Sequence, residues 1–212
     1  MAISLVKMPT PKENIFLRVA KGHYATSHSH INYYIDVTMS KSRLSEARAV
    51  AAELISAYKS TTIIDTILCL DGTEVIGACM GSELTKAGYS NMNAHQTIYV
   101  VTPEHTTGSQ LIFRENTAPM IADKHVLVLA ASVTTGYTVQ GAVEAIRYYG
   151  GEPAGVKAIF ATVDECAGYP VASIFDPHDL PDYQSYDSHN CPWCKEGKKI
   201  DALVNSFGYS SL

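Results

Sequence analysis

Residues 126–138 read VLVLAASVTTGYT, an apolar run followed by a short turn that is rich in hydroxyl groups and contains one glycine. The run has the length and β-branched content of a buried strand. The following residues, TVQGAVEAIRYYGG, repeat apolar side chains at helical spacing and end at a glycine pair, which predicts a helix. A strand, a turn and a helix in this order form the local unit of a mainly parallel α/β sheet.

The rest of the chain repeats this alternation of strands and helices. The patterns predict strands at 31–39, 61–70, 96–102, 124–132, 155–164 and 170–176, helices at 40–60 and 74–88, and a long polar loop at 103–119. We therefore predict an α/β fold with a mainly parallel central sheet flanked by helices. One domain covers residues 1–180, with a small N-terminal hood over about 1–40, and the C-terminal arm 181–212 differs in character.

Composition limits the classes of function. The chain has 212 residues, a net charge of −5 and 46% hydrophobic residues, as is usual for a folded globular domain. Net negative charge argues against a nucleic-acid partner, and no apolar run approaches the roughly 20 residues of a membrane span. The start of the chain has no signal-peptide pattern, and the odd number of cysteines, five, favours reduced thiols. We therefore expect a cytoplasmic protein.

The turn after the apolar run has the properties of a phosphate site. In a parallel α/β sheet, ligands bind beyond the carboxyl ends of the strands, and a helix N-terminus favours an anion. Hydroxyl groups add donors, whereas an ordinary strand–helix connection with a Ser/Thr cap remains the alternative. The candidate phosphate site consists of Ser132, Val133, Thr134, Thr135, Gly136, Tyr137 and Thr138.

The order of these parts resembles the phosphoribosyl-diphosphate signature of type I phosphoribosyltransferases. Three further stretches are similar to orotate phosphoribosyltransferases: ATSHSHINYYIDVTMSKSR, LCLDGTEVIGA and IYVVTPEHTTGSQ. Together the matches run from about residue 15 to about 175. The resemblance implies a phosphorylated ribose ligand with its 5′-phosphate at residues 132–138. It also implies Mg²⁺ with a diphosphate substrate, and a homodimer. It also implies a pyrophosphate loop formed by Asp71, Gly72, Thr73 and Glu74.

The chain departs from the family where charge is needed. Ala130 and Ala131 stand where the family has acidic residues that hold the ribose hydroxyls. Val101 and Thr102 replace an Arg-Lys pair, so the loop retains few basic side chains. The sequence therefore predicts a turn that still binds phosphate, next to ribose positions that have lost their acidic side chains. Two functions stay open: a phosphoribosyltransferase, or a non-catalytic sensor of a nucleotide or phosphoribosyl metabolite. Restoring both acids should improve binding of phosphoribosyl diphosphate more than turnover.

Three acidic or basic side chains have competing interpretations. Asp71 and Glu74 are candidate ligands for a Mg²⁺-bound group, or simply solvated carboxylates of a turn. His105 is the acid/base candidate of the predicted loop, and a surface histidine without a role is the alternative.

The arm contains one C-x-x-C motif, Cys191-Pro-Trp-Cys194. A structural zinc site requires four ligands, and one such motif supplies two. His178, His189 and Cys166 are further candidates by their places in the sequence. The pair thus predicts a Zn²⁺ site, a redox pair or two packed thiols, and these alternatives stay open.

Overall fold

The described residues form two six-stranded sheets and one small two-stranded sheet. The structure is a computed structural model that describes residues 3–8, 10, 12–88, 90–94, 97–108 and 110–212. Its strands are β1 (Val6–Met8), β2 (Leu17–Ala25), β3 (Ser29–Asp36), β4 (Thr66–Cys69), β5 (Tyr99–Val101), β6 (Glu104–His105), β7 (Leu111–Ile112), β8 (His125–Val133), β9 (Glu152–Ala161), β10 (Glu165–Cys166), β11 (Tyr169–Phe175), β12 (Ser185–Asp187), β13 (Ala202–Asn205) and β14 (Gly208–Ser211). Its helices are α1 (Thr38–Ser42), α2 (Leu44–Ile55), α3 (Glu74–Leu84), α4 (Tyr137–Tyr148) and α5 (Pro192–Lys195).

The central sheet has the strand order β10-β11-β9-β8-β4-β5. The pairs from β11 to β5 are all parallel, and β10 alone is antiparallel to its neighbour among these strands. The predicted fold class, a mainly parallel sheet flanked by helices, is confirmed. Strand β8 lies in the middle of this sheet, so its carboxyl end lies at the centre of the row formed by the carboxyl ends of the parallel strands.

Each face of the central sheet carries its own apolar core. Strand β8 alternates between them, with Leu127, Leu129 and Ala131 in the core of α2 and α3. Val126, Val128 and Ala130 belong to the opposite core with the apolar face of α4. Because successive strand residues point to opposite faces, a strand buried on both sides reads as the continuous apolar run seen in the sequence.

The second sheet joins the two ends of the chain. Its order is β12-β3-β2-β13-β14, and β1 pairs with β2. The C-terminal strand β13 runs parallel to β2, with Ala202 opposite Tyr24. Strands of the arm 181–212 therefore complete the sheet of the N-terminal hood, while the division of the chain into domains stays a prediction.

Several predicted boundaries are wrong in detail. The helix predicted over 40–60 is two helices separated at Arg43, whose backbone is extended, and it ends at Ile55. The strand predicted over 61–70 is limited to β4, and the helix over 74–88 ends at Leu84. The predicted loop 103–119 contains the antiparallel pair β6 and β7. Periodicity misses such a pair because each strand has two residues. Gln96, in the predicted strand 96–102, lies outside the described residues.

Within the residues that the structure describes, no helix is both long and apolar enough to span a bilayer.

Candidate functional site

The hydroxyl-rich turn lies at the carboxyl end of β8, directly before α4. Gly136 has a left-handed backbone with φ of 79°, and a Cβ there would lie 2.7 Å from the sulfur of Cys166. Glycine is therefore required by both conformation and space. The turn is fixed by a hydrogen bond from the residue that follows β9: Thr162 Oγ1 donates to the Thr134 carbonyl at 2.8 Å. The sequence thus forms a fixed turn at the N-terminus of a twelve-residue helix.

The polar groups of this turn point toward a cavity. Ser132, Thr134, Thr135 and Thr138 all line it. Within the described chain, the hydroxyls of these four residues form no hydrogen bonds with other protein groups. The first N–H groups of α4 also lack partners within the helix, as in every α-helix, and the helix dipole favours negative charge there. The arrangement can bind a phosphate through neutral donors.

The cavity has a volume of about 280 Å³ and three walls. The hydroxyl-rich turn of residues 132–138 (called the phosphate turn below, after its predicted ligand) and Phe160 form the first wall, and Asp71 lies beside them. The second wall comes from the hood, and its residues are Thr26, Ser27, His28, Ile31, Tyr34, Ile35 and Val37. The third comes from the C-terminal arm, with Tyr183, Val204, Asn205 and Ser206. This volume is near the lower limit of about 300–1,000 Å³ for small-molecule sites.

The two alanines at the predicted ribose positions are packed, not merely uncharged. Ala130 is 1% exposed and Ala131 is 0% exposed, and they belong to the cores on opposite faces of the sheet. Neither alanine is among the residues that line the cavity. Alanine accepts no side-chain hydrogen bond, so these positions offer a ribose no acceptor.

The predicted pyrophosphate loop follows β4, and its polar groups are largely engaged. The buried Thr73 hydroxyl donates to the Leu70 carbonyl at 2.7 Å. Glu74 accepts a hydrogen bond from the Thr102 hydroxyl at 3.0 Å. Asp71, which has a positive φ, is the one member that lines the described cavity. Gly72, also at positive φ, completes the tight turn.

A buried lysine holds this loop against the C-terminal arm. Lys41 Nζ donates to the Asp71 carbonyl at 2.6 Å and to the Ser206 carbonyl at 2.7 Å. It also lies 5.2 Å from the ring centre of Phe207. Burial lowers the pKa of Lys41, and the nearby carboxylates act in the opposite direction. The ammonium group is thus directed at two protein carbonyls.

The carboxyl group of Asp71 is largely desolvated. Burial raises the pKa of Asp71, while the Ser206 hydroxyl, the Ala131 backbone, Lys41 and His105 act to lower it. His105 lies on the exposed strand β6 and does not line the cavity.

Positive charge is scarce around the cavity. Among the described lining residues there is no lysine or arginine, and His28 is the one side chain able to carry a positive charge. Arg114, the arginine of the predicted loop, forms two hydrogen bonds to the carboxylate of Glu104, at 2.7 and 2.5 Å. The part of the cavity wall that the structure describes therefore offers no lysine or arginine to neutralise a leaving diphosphate.

One buried hydroxyl in the cavity wall has no partner. Among the buried side-chain polar atoms that the structure describes, the Tyr183 hydroxyl is the one without a hydrogen bond. Burial raises the pKa of Tyr183 to about 12, so the group is a neutral phenol at pH 7. Its ring lies 5.7 Å from that of Phe160. Because an unpaired buried polar group is costly, this hydroxyl lowers the stability of the free protein.

The residues present offer Mg²⁺ a poor site. Mg²⁺ prefers oxygen ligands and is usually held by one or two carboxylates together with substrate phosphates. The cavity provides the partly engaged Asp71, Glu74 is bonded to Thr102, and Ala130 and Ala131 provide no oxygen.

The C-x-x-C pair lies beside two histidines that the sequence did not identify. One ligand atom from each of Cys191, Cys194, His23 and His30 lies within 4.8 Å of every other. The predicted candidates His178, His189 and Cys166 are not in this group. His23 and His30 lie on β2 and β3, on either side of a short turn, and no local sequence pattern selected them over the other histidines. Tyr183, Lys41 and Ser206 likewise gave no signal in the sequence.

Comparisons with solved structures identify the fold. No family model matches the sequence. An adenine phosphoribosyl transferase from Trypanosoma brucei, solved with AMP, pyrophosphate and ribose-5-phosphate, has a TM-score of 0.54 at 14% identity. That match covers 91% of this chain and 92% of the other. The orotate phosphoribosyltransferase of Mycobacterium tuberculosis H37Rv, in complex with Fe(III) dicitrate, has a TM-score of 0.53 at 18% identity and covers 77% and 92%.

A third similar structure is the UMP synthase of Leishmania donovani, with a TM-score of 0.50, 19% identity and 71% of this chain covered. The chain spans 31% of that longer protein. These identities are low, so the likeness is one of fold alone: this chain has a central, mainly parallel sheet with an apolar core on each face. The chain has the type I phosphoribosyltransferase fold, related to that of the orotate enzymes.

Proposed function

We propose that this protein binds a phosphorylated ribose compound, such as a nucleoside monophosphate or phosphoribosyl diphosphate, and transfers the phosphoribosyl group poorly or not at all. The observation that carries the proposal is the phosphate turn. Its hydroxyls at Thr134, Thr135 and Thr138 face a cavity whose described wall contains no lysine or arginine. Donors for a terminal phosphate are retained, and cations for a leaving diphosphate are not. A sensor of such a metabolite is the role that this combination supports best.

The opposite part of the cavity suits an aromatic base. Ile31, Val37 and Phe160 supply apolar surface, and Asn205 supplies a polar side chain. A flat ring with polar edges matches a mixed wall of this kind. A nucleotide would then span the cavity with its phosphate at residues 132–138 and its base between the hood and the arm.

Calorimetric titration tests this proposal. Adenosine and uridine monophosphate are the probes, and the corresponding nucleosides without phosphate are the controls. Binding in the micromolar to millimolar range by a monophosphate, and much weaker binding by its nucleoside, is the expected result. A protein that binds neither monophosphate, and whose melting temperature does not change with inorganic phosphate or sulfate, would contradict it.

Removal of one turn hydroxyl should weaken the phosphate contact. Thr135→Ala is expected to reduce monophosphate binding by about 0.5–1.5 kcal/mol, or up to about 3 kcal/mol if its bond to the phosphate is charge-assisted. Thr61→Ala is the matched control, because its hydroxyl is exposed and bonds to the Ala57 carbonyl away from the cavity. Equal affinity of Thr135→Ala and the unmodified protein would show that the phosphate lies elsewhere.

Removal of the unpaired phenol should have opposite effects on folding and binding. Tyr183→Phe deletes a buried hydroxyl without a partner, so the free protein should be as stable as before or about 1 kcal/mol more stable. Nucleotide affinity should fall about 2- to 10-fold if this hydroxyl bonds to the ligand. Tyr33→Phe is the control, since its hydroxyl donates to the Pro181 carbonyl at 2.8 Å and its loss should lower stability. Unchanged nucleotide affinity in Tyr183→Phe would show that the Tyr183 hydroxyl does not bond to the ligand.

A phosphoribosyltransferase is the second candidate. The feature in its favour is Asp71, a carboxylate that lines the cavity near the phosphate turn, with His105 acting on its charge. Transfer assays with several bases separate the two candidates. Homodimerisation and a cytoplasmic location stay predictions.

A further inference from the structure

Four side chains converge between the hood and the C-terminal arm. His23 Nε2 lies 3.1 Å from His30 Nδ1, 3.6 Å from Cys191 Sγ and 3.7 Å from Cys194 Sγ. Cys194 Sγ lies 3.2 Å from His30 Nδ1. All four atoms are within 4.8 Å of one another, and none of these residues lines the nucleotide cavity.

These distances match a tetrahedron around one small metal ion. With Zn–N bonds of about 2.0–2.1 Å and Zn–S bonds of about 2.3 Å, tetrahedral angles separate two nitrogens by about 3.3 Å and a nitrogen from a sulfur by about 3.6 Å. The four pairs whose distances are given above agree with these values to within about half an ångström, and the other two pairs lie within 4.8 Å. Two thiolates and two imidazoles are also the donor set of a closed structural zinc site.

The surroundings favour the required tautomer of His23. Its Nδ1 lies 3.1 Å from the carbonyl oxygens of both Lys198 and Lys199. An N–H at Nδ1 donates to these carbonyls, which leaves the Nε2 lone pair directed at the cluster. A metal-bound histidine usually makes this kind of second bond to a carbonyl or carboxylate. The Trp193 ring, 5.4 Å from the ring centre of His23, shields one side.

We propose that His23, His30, Cys191 and Cys194 bind one structural Zn²⁺ ion. The ion is held by His23 Nε2, His30 Nδ1 and the two sulfurs, and the two thiols release their protons to solvent on binding. Four protein ligands leave no open position, so the ion takes no part in chemistry. Its effect is to tie β2 and β3 to the arm through ligands distant in sequence.

The position of the site connects it to the nucleotide cavity. The arm that the metal would hold carries Tyr183 and Asn205, both of which line that cavity. Strand β13 of the arm pairs with β2 at Tyr24, the residue directly after His23. The ion therefore stabilises the third wall of the cavity without touching it.

Metal analysis of the purified protein tests the site directly. After zinc loading and extensive dialysis, mass spectrometry should find about one equivalent of zinc per chain, and Cys194→Ser should retain less than about half an equivalent. Cys194 is exposed, so this variant should fold. Cys79→Ser, at a half-buried thiol on α3, and His178→Ala, at an exposed histidine, are the matched controls and should retain the zinc.

A spectroscopic measurement separates a true site from adventitious binding. Loaded with Co²⁺, the unmodified protein and both controls should show the strong visible absorption of four-coordinate cobalt and thiolate charge-transfer bands. Cys194→Ser should lose part of the charge-transfer intensity. Less than half an equivalent of zinc in the unmodified protein, or an octahedral cobalt spectrum, would overturn the proposal. Neither readout depends on nucleotide binding, so this failure is distinct from a failure of the proposed function.

Hydrogen exchange tests the structural role. On removal of zinc with a chelator, backbone amides of β13 should exchange faster, whereas those of β8 in the central sheet should be unchanged. Unchanged exchange in β13 would contradict the role of the ion in holding the arm.

Discussion

Mixed with phosphoribosyl diphosphate, Mg²⁺ and orotate, the protein is expected to form orotidine monophosphate at a rate on the order of 10⁴-fold or more below the typical enzyme turnover of about 10 s⁻¹. Transfer of a phosphoribosyl group builds positive charge on the ribose and negative charge on the leaving diphosphate, so it depends on positioning and electrostatic stabilisation. Loss of one well-placed charged contact typically costs about 10²–10³ in rate. Several such contacts are missing here, although their effects do not simply add.

The contacts in question are identifiable in the structure. Ala130 and Ala131 offer no acceptor for the ribose hydroxyls. Arg114 is paired with Glu104, and Lys41 is directed at two carbonyls. A turn that held only the phosphate would bind substrate and transition state alike, and such uniform binding lowers a KM without lowering the chemical barrier.

A steady-state assay over several purine and pyrimidine bases checks this expectation. The same preparation must bind a nucleoside monophosphate by calorimetry, so that inactivity cannot be attributed to misfolding. Turnover near 10 s⁻¹ with any base would show that the missing charges are supplied in another way.

Ala131→Asp is expected to lower the free energy of unfolding by about 3–5 kcal/mol. The side chain of Ala131 is completely buried in the core of α2 and α3. An aspartate there adds volume to a packed core and buries a carboxylate, and each change is destabilising. The sequence alone predicts that restoring the family's acids improves binding of phosphoribosyl diphosphate. The burial of Ala131 in the core predicts instead that the acidic variant is mainly less stable.

The pH dependence of this loss identifies its cause. Burial raises the pKa of a carboxyl group above its unfolded value of about 3.9. Below the unfolded pKa the acid is protonated in both states, so the charge penalty is absent there and grows as pH rises toward the folded pKa. Chemical denaturation at pH 7 and near pH 4 should therefore show a smaller loss at the lower pH.

Two variants serve as controls for the stability measurement. Ala131→Asn has nearly the same volume without a charge, so its loss should be smaller and independent of pH. Ser132→Asp makes the same acidic side chain one residue later, at a half-buried position that faces the cavity, and should be tolerated better. A loss below about 1 kcal/mol in Ala131→Asp would show that the core accommodates the acid.

The local sequence determined the elements that depend on near neighbours. Strand β8 and helix α4 follow from hydrophobic periodicity and a glycine stop, and the turn between them from Gly136, whose left-handed backbone only glycine adopts readily. The fold class follows from their repetition along the chain. Where the pattern was short, as in the two-residue strands β6 and β7, periodicity carried no information.

Contacts between distant parts of the chain were decided by the tertiary structure alone. His23 meets Cys191 across 168 positions of sequence, and Lys41 meets Ser206 across 165. The sequence could name the cysteine pair because two ligands lie three residues apart, but it could not select His23 and His30 over His178 and His189. That choice depends on β13 pairing with β2, and a pairing of strands so far apart leaves no local pattern in the residues that form it.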